Sequence, residues 1–340
     1  MGCGTVLSKG DIVAVIYYSV QGSFGGGGPS VHVARMTQEL RKLKHKVVFS
    51  DPQKADVVMA IINTGKILKK VNRDKTRVIL RIDGIYNKMY NEKFNRAIRP
   101  DMTALHDELK RDIPRVDWVC YQSQWSKDRI DDEIVARDNN YSIIHNGCDT
   151  NLFKPMPKKE DGVIRLIHCG RMRDGYLMEM LIKTYLGVKK NHNAQLLLIG
   201  GMDAGCAKVY SKYASDKNII KLGAFPNTKL TNAYNMGDIF LDVRQGSSSN
   251  NVVAEAQSCG LPVVAPEFTG DVDMIVDKKS GIIVPSGKWD YDESYVKNLV
   301  NGVEKIIPDL NGFKLRARQH AVKELTIEKM VDKYLKAMEL

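Results

Sequence analysis

The chain of 340 residues, 43% hydrophobic and 27% charged, has the composition of a soluble globular protein and the length of two domains, each large enough to bury its own interior. No apolar run approaches the ~20 residues of a membrane span, and no charged segment with a long apolar core opens the chain. The six cysteines include no C-x-x-C pair. Reduced thiols, no metal site and a location in the cytoplasm or peripheral at a membrane are therefore expected. A net charge of +11 implies a surface that attracts anions, whether nucleic acid, an anionic membrane or a diphosphate ligand.

In chain order, IVAVIYYSV (Ile12 to Val20) reads as a buried strand and QGSFGGGGPS as a loop. A helix begins near Ser30 with Val33, Met36 and Leu40 on one face, and KVVFSD is the second strand. Consecutive glycines at the turn of such a βαβ unit let backbone approach a ligand without Cβ interference, although a merely flexible loop is the plainer alternative. Asp51 stands where a ribose-binding acid would sit in a nicotinamide site. Against that reading, Gly25 and Gly27 are followed by Ser30, which breaks G-x-G-x-x-G at its last position.

DVVMAII, RVILRIDGI and DWVCYQS follow as parallel strands, with a basic helical stretch between the first two. Asp83 and Gly84 end one of them, at the edge where open α/β sheets bind ligands. Arg41, Lys42, Lys44 and Lys46, then Lys66, Lys69, Lys70, Arg73, Lys75 and Arg77, read as solvated helix faces or as a peripheral membrane contact of the N-terminal domain. An Asn-Gly turn and a Pro/Lys-rich run after YSIIH place the domain boundary near Lys154 to Asp161. The expected domains are 1–154 and 155–320, with a C-terminal helix over 321–340.

VIRLIHCG restarts the strand pattern, followed by RMRDG, a helix from about Tyr176 to Lys190, and the strands QLLLIGG and NIIKLGAF. The stretch Gly237 to Pro266 then runs strand (IFLDV), polar loop (QGSSSNN), helix (NVVAEAQSC, closed by Gly260) and strand (LPVVAP) without a break. A polar loop that ends a parallel strand and opens a helix aims backbone N–H groups at one point, which favours a phosphate. Glu255, about one turn into that helix, is placed to accept hydrogen bonds from a ribose. The bland alternative is a Ser/Asn loop that caps a helix and a solvated Glu255. Beyond GIIVPS the chain is helical, with Val296, Leu299, Val300, Val303 and Ile306 at packing positions.

Asn251, Glu255, Ala256, Gly260, Pro262, Val263 and Val264 form N-x-x-x-E-A-x-x-x-G-x-P-V-V, which resembles the donor-site signature of GT-B glycosyltransferases of family 4. Further motifs resemble the same family in the same order. They are Gly27-Gly28-Pro29-Ser30 with His32 and Val33, then Asn146-Gly147-Cys148-Asp149 with Phe153 and Pro155, then Gly170-Arg171, then Leu222-Gly223 with Tyr234, Gly237 and Asp238. The resemblance implies an α/β protein of GT-B fold, two Rossmann-like domains facing each other across a cleft, with the C-terminal helix returning to the first.

It also implies a retaining, metal-independent transfer of a sugar from a nucleoside diphosphate sugar, of UDP or GDP type, to a carbohydrate, lipid-linked or small-molecule acceptor. In that reading the Gly27-Gly28 loop, Arg171, Arg173, Arg244, Ser247, Asn250, Asn251 and Val252 surround the donor. Glu255 holds the ribose, and Gly223 to Phe225 offer backbone to the base. Two departures stand out: Ser247 replaces the family's first Glu, and the usual diphosphate-binding Lys has no counterpart, so that Arg173 or Arg244 is the candidate substitute. Asp83 stands where many members have a His and is the candidate for sugar or acceptor hydroxyls. A catalytically weak nucleotide-sugar-binding protein and an NAD-dependent oxidoreductase are the rival readings. Nucleic acid is disfavoured as an acceptor because no basic motif carries interleaved aromatics.

Overall fold

The computed structural model describes residues 14–23, 28–84, 88–94, 100–158 and 160–340, which divide into two compact units. The first opens with β1 (Val15–Tyr18), α1 (Gly28–Lys42), β2 (Lys46–Val48), β3 (Val57–Ile61) and β4 (Arg77–Arg81). It continues with α2 (Lys88–Lys93), α3 (Pro100–Asp112), β5 (Trp118–Tyr121), α4 (Gln124–Glu133) and β6 (Tyr141–Ile143). The six strands are all parallel, in the order β2-β1-β3-β4-β5-β6. Every residue of VVMAI in β3 is buried, as an unbroken apolar run demands when helices cover both faces of a parallel sheet. Val33, Met36 and Leu40 of α1, spaced three and four apart, are fully buried in the same core.

The second unit repeats this plan. It contains β7 (Ile164–Cys169), α5 (Gly175–Val188), β8 (Ala194–Ile199), α6 (Ala204–Ser211), β9 (Ile219–Gly223), α7 (Leu230–Tyr234) and β10 (Ile239–Leu241). There follow α8 (Asn251–Ser258), β11 (Val263–Pro266), β12 (Gly281–Val284), α9 (Glu293–Ile306) and α10 (Leu310–Glu324). Its strands are also all parallel, in the order β12-β11-β10-β7-β8-β9. The last helix, α11 (Ile327–Met338), belongs to the first unit, where Met330, Val331 and Tyr334 share the core of α1.

Two sequence expectations need correction. The chain leaves the first unit after Ile144 and re-enters it at Ile327, not at 154 and 320. Cys148 and Phe153 are the reason: both are fully buried in the second unit's core, beside Tyr234 and Ala256, and the Cys148 amide donates to the Leu325 carbonyl at 2.9 Å. The basic stretch between β3 and β4 forms only the 3₁₀ turn Ile67–Lys69. Gly65 at φ +51° lies just before it, and like charges three and four apart oppose a longer helix.

Several helices escaped the periodicity reading. α4 is strongly polar, with Ile130 as its one large buried apolar side chain, and its signal lies instead in its cap, where Ser123 Oγ accepts from the Ser126 amide at 3.1 Å. Because Phe153 lies in the second unit's core, Phe153→Ala should lower that unit's stability by about 3–5 kcal/mol. Native-state hydrogen exchange reads this as faster exchange of β10 and β11 amides with β3 and β4 unchanged; the opposite pattern would return residues 145–154 to the first unit.

Candidate functional site

The strand order of the second unit reverses between the neighbours β7 and β10. Crossovers leave those strands in opposite directions, and the loops at their carboxyl ends open a crevice. Arg171 and Arg173 lie on the loop after β7, while Arg244, Ser247 and Asn250 lie on the loop after β10. The loops touch, because Arg244 Nη2 donates to the Arg171 carbonyl at 3.3 Å. Arg171 and Arg173 are exposed and Arg244 is half-buried. None of these guanidinium groups has a carboxylate partner among the described residues. Elsewhere in the unit cations are paired: Lys158 and Lys314 both reach Asp238, at 2.8 and 2.7 Å. Unpaired guanidinium groups on adjoining loops are suited to a bound anion.

Side-chain and backbone contacts fix the β10 loop from below. Gly246 has φ +71°, and a Cβ there would lie 1.5 Å from the Trp289 ring, so only glycine fits. Its amide donates to the Phe268 carbonyl at 2.7 Å, and the Gly270 amide donates to the Ser247 carbonyl at 2.7 Å. Gln245 Nε2 donates to the carbonyls of Ser286 and Asp290, at 3.2 and 2.9 Å. The loop delivers the chain into α8, whose Asn251 and Val252 amides have no acceptor among the described residues. These are the donors that a helix N-terminus offers to an anion.

Glu255 sits on the inner side of α8 and is 4% exposed. The Tyr234 hydroxyl donates to its Oε2 at 3.1 Å, a link that motif reading alone did not supply. Gly223 ends β9 at φ +76°, and Phe225 beyond it is half-buried. Beside them sequence reasoning missed a floor of glycines. A Cβ on Gly200 would lie 2.0 Å from the Gly170 carbonyl oxygen, and the Gly200 amide donates to the Gly223 carbonyl at 2.8 Å. The ends of β7, β8 and β9 therefore stand close together without side chains. The available signal was the repeated ending of an apolar run in glycine, in LIHCG, LLLIGG and IIKLG.

Under the crevice lie two buried carboxyl groups that no local sequence pattern pairs, Asp242 at 2% and Asp271 at 0% exposure. Burial, and then the neighbouring Asp271 carboxylate, push the Asp242 carboxyl well above the usual range, with Arg244 opposing. A second buried group, His168, has its pKa lowered to about 4 by desolvation, and its Nδ1 lies 2.8 Å from the Leu241 carbonyl. Native Asp242 thus keeps its proton at pH values where an unfolded Asp has lost it. Wild-type stability should then fall as pH rises from about 4 toward the native pKa, by up to ~1.4 kcal/mol per pH unit. Asp242→Asn has no such proton to release. Its melting temperature should gain on wild type as pH rises above the ordinary carboxylate range, and parallel curves in a melting series would show that Asp242 is ionised in the native protein.

In the first unit Gly28 opens α1, with open space around its would-be Cβ; Gly27 lies outside the described residues. Asp83 follows β4 and is half-buried. Its Oδ1 accepts from Arg81 Nη1 and from Gln122 Nε2, the latter at 3.1 Å, while its Oδ2 is buried without a hydrogen-bond partner among the described residues. Arg81, 1% exposed, also donates through Nε to the Tyr334 hydroxyl of α11 at 3.0 Å.

Residues 164–304 match the family described as Glycosyl transferases group 1. The chain is 29% identical over 230 residues to a GDP-mannose-dependent alpha-mannosyltransferase of Mycobacterium tuberculosis, and the match covers 66% of this chain and 51% of that protein. It is 25% identical over 146 residues to the capsular polysaccharide biosynthesis glycosyltransferase CapM of Staphylococcus aureus, covering 42% of this chain and 36% of that protein. The chain thus spans about half the length, or less, of these curated relatives. Among solved structures, sucrose-phosphate synthase of Thermosynechococcus elongatus is similar with a TM-score of 0.74 at 14% identity, over 96% of this chain and 98% of that one. HepE of Anabaena, solved with UDP and glucose, is similar with a TM-score of 0.70 at 14% identity, over 96% of this chain and 100% of that one. Through residues 164–304 the chain is thus similar to the glycosyl transferases group 1 family, and its two α/β units are those of the GT-B fold.

Proposed function

We propose that this protein is a retaining glycosyltransferase that moves a sugar from a nucleoside diphosphate sugar to a carbohydrate, lipid-linked or small-molecule acceptor. The observation that carries the proposal is the set of Arg171, Arg173 and Arg244 without carboxylate partners among the described residues, beside the open N-terminus of α8. A diphosphate gains charge as its bond to the anomeric carbon breaks, and donors fixed in advance at that place lower the barrier. Arg171 supplies positive charge, with Arg173 or Arg244 in the place of the family's usual Lys, and the Asn251 and Val252 amides supply hydrogen bonds. With cationic side chains in this role the reaction proceeds without a metal ion.

The ribose hydroxyls bind Glu255, whose carboxylate the Tyr234 hydroxyl orients, and the base lies over the side-chain-free ends of β8 and β9. Asp83 receives a sugar or acceptor hydroxyl on its unpartnered Oδ2. No carboxylate takes the nucleophile's place in this assignment. The departing phosphate oxygen accepts the proton of the attacking hydroxyl on the same face, which gives retention. The nucleoside is of UDP or GDP type, and the relatives named above include one of each. The presence of Ser247 where the commonest pattern has Glu favours one rival, a protein that binds the donor with weak turnover.

A thermal-shift and calorimetric screen against UDP, GDP, ADP, their sugar conjugates and NAD tests the proposal without an acceptor. One nucleoside diphosphate class should bind selectively, with affinity at least about tenfold weaker in Glu255→Ala, since a hydrogen bond to a charged group is worth about 1.5–3 kcal/mol. A shift with NAD alone would overturn it. Arg171→Ala should then lower kcat for transfer by about 100- to 1,000-fold, the range for removing one donor from a developing anion. Tight donor binding with no release of sugar in the unmodified protein would establish the binding-protein reading instead.

A further inference from the structure

Asn is among the most favoured residues for closing the first turn of a helix, because its side-chain oxygen can accept from the amides two or three residues on. Asn250 occupies that position at the start of α8 and makes no such bond. Its side chain is held elsewhere. Asp271, completely buried on the turn after β11, accepts from the Asn250 amide through Oδ1 at 2.5 Å and from Asn250 Nδ2 through Oδ2 at 2.6 Å. The Thr269 hydroxyl donates to the same Oδ2 at 3.2 Å. Both polar ends of one carboxylate are thus used to grip the backbone and side chain of one residue.

We propose that Asp271 is a positioning residue that keeps the N-terminus of α8 open for the donor diphosphate by withholding the Asn250 side chain from it. The inference rests on the donor-site reading given above. Without the grip, the Asn250 oxygen would turn to the Val252 amide and compete with the phosphate for the donors that α8 offers. With it, the helix forgoes a cap worth about 1 kcal/mol and presents its Asn251 and Val252 amides unoccupied. The Ser247 carbonyl, which accepts from the Gly270 amide at 2.7 Å, ties the same two turns together from the other side. The grip is therefore part of a fixed seam between them.

The test uses the full chain and the nucleoside diphosphate, UDP, GDP or ADP, that binds the unmodified protein. Asp271→Asn, which cannot accept from both groups, should weaken that diphosphate by about five- to tenfold, the equivalent of one competing cap, and should slow hydrogen exchange of the Val252 amide without ligand. Adding Asn250→Ala to Asp271→Asn removes the competing oxygen and should recover most of the lost affinity, whereas damage to the fold would deepen it. Unaltered affinity and exchange in Asp271→Asn, or a double variant no tighter than the single, would overturn the inference. Should Asp271→Asn fail to fold, Asn250→Asp serves: repelled by Asp271, its carboxylate should cap α8, raising the melting temperature while weakening the diphosphate, and an unchanged affinity would overturn the inference. A protein that binds none of these diphosphates would overturn the donor reading itself.

Discussion

The geometry of the candidate site follows from one topological constraint, the reversal of strand order between β7 and β10. Parallel strands connected by right-handed crossovers must send successive helices to opposite faces once the order turns back, so the loops between the two directions cannot be covered by either helix layer. Everything placed at that gap is then available to a ligand. In this chain the gap receives guanidinium groups without carboxylate partners among the described residues, a helix start without a side-chain cap, and strand ends without side chains. Each is unfavourable to leave bare in an ordinary core, and their coincidence at one edge is what distinguishes a site from a surface.

Much of this was legible before any coordinates. Apolar runs bounded by glycine or proline located the strands, since a parallel sheet covered on both faces must be continuously apolar. The strand pattern placed Arg171 and Arg244 just beyond strand ends, on loops that touch in the fold. What could not be read was the set of contacts between segments distant in sequence. Nothing in the local pattern around Asp242 or Asp271 says that these carboxyl groups are buried near one another, or that Tyr234 reaches Glu255. The boundary at Ile144 was missed for a related reason. An Asn-Gly turn and a Pro/Lys-rich run announce a linker, but the side chains of Cys148 and Phe153, which lie before that run, already pack in the second unit. Polar helices such as α4 were invisible to periodicity because short caps and a single apolar contact hold them.

The electrostatics of the second unit separate two kinds of buried charge. Asp238, near the opposite strand ends, is held ionised below its ordinary range despite burial, by the ammonium groups of Lys158 and Lys314. Asp242, without such partners, is driven toward its neutral form. The difference has a functional sense. A second ionised carboxylate beneath a phosphate crevice would repel the ligand through a medium of low dielectric constant, and a protonated one does not.

The return of α11 to the first unit has a consequence for how the protein is made. Residues 14–144 emerge from the ribosome before the second unit is synthesised, yet the core they form around α1 is closed by Met330, Val331 and Tyr334. Their own strands can pair early. The face that awaits the last helix stays exposed until residue 338 or so has been translated, while the intervening unit, continuous from His145 to Thr326, can fold as soon as it is released. Vectorial synthesis therefore favours completing the second unit before the first, and an early-exposed apolar face on α1 is the surface at which a nascent chain would need protection from aggregation.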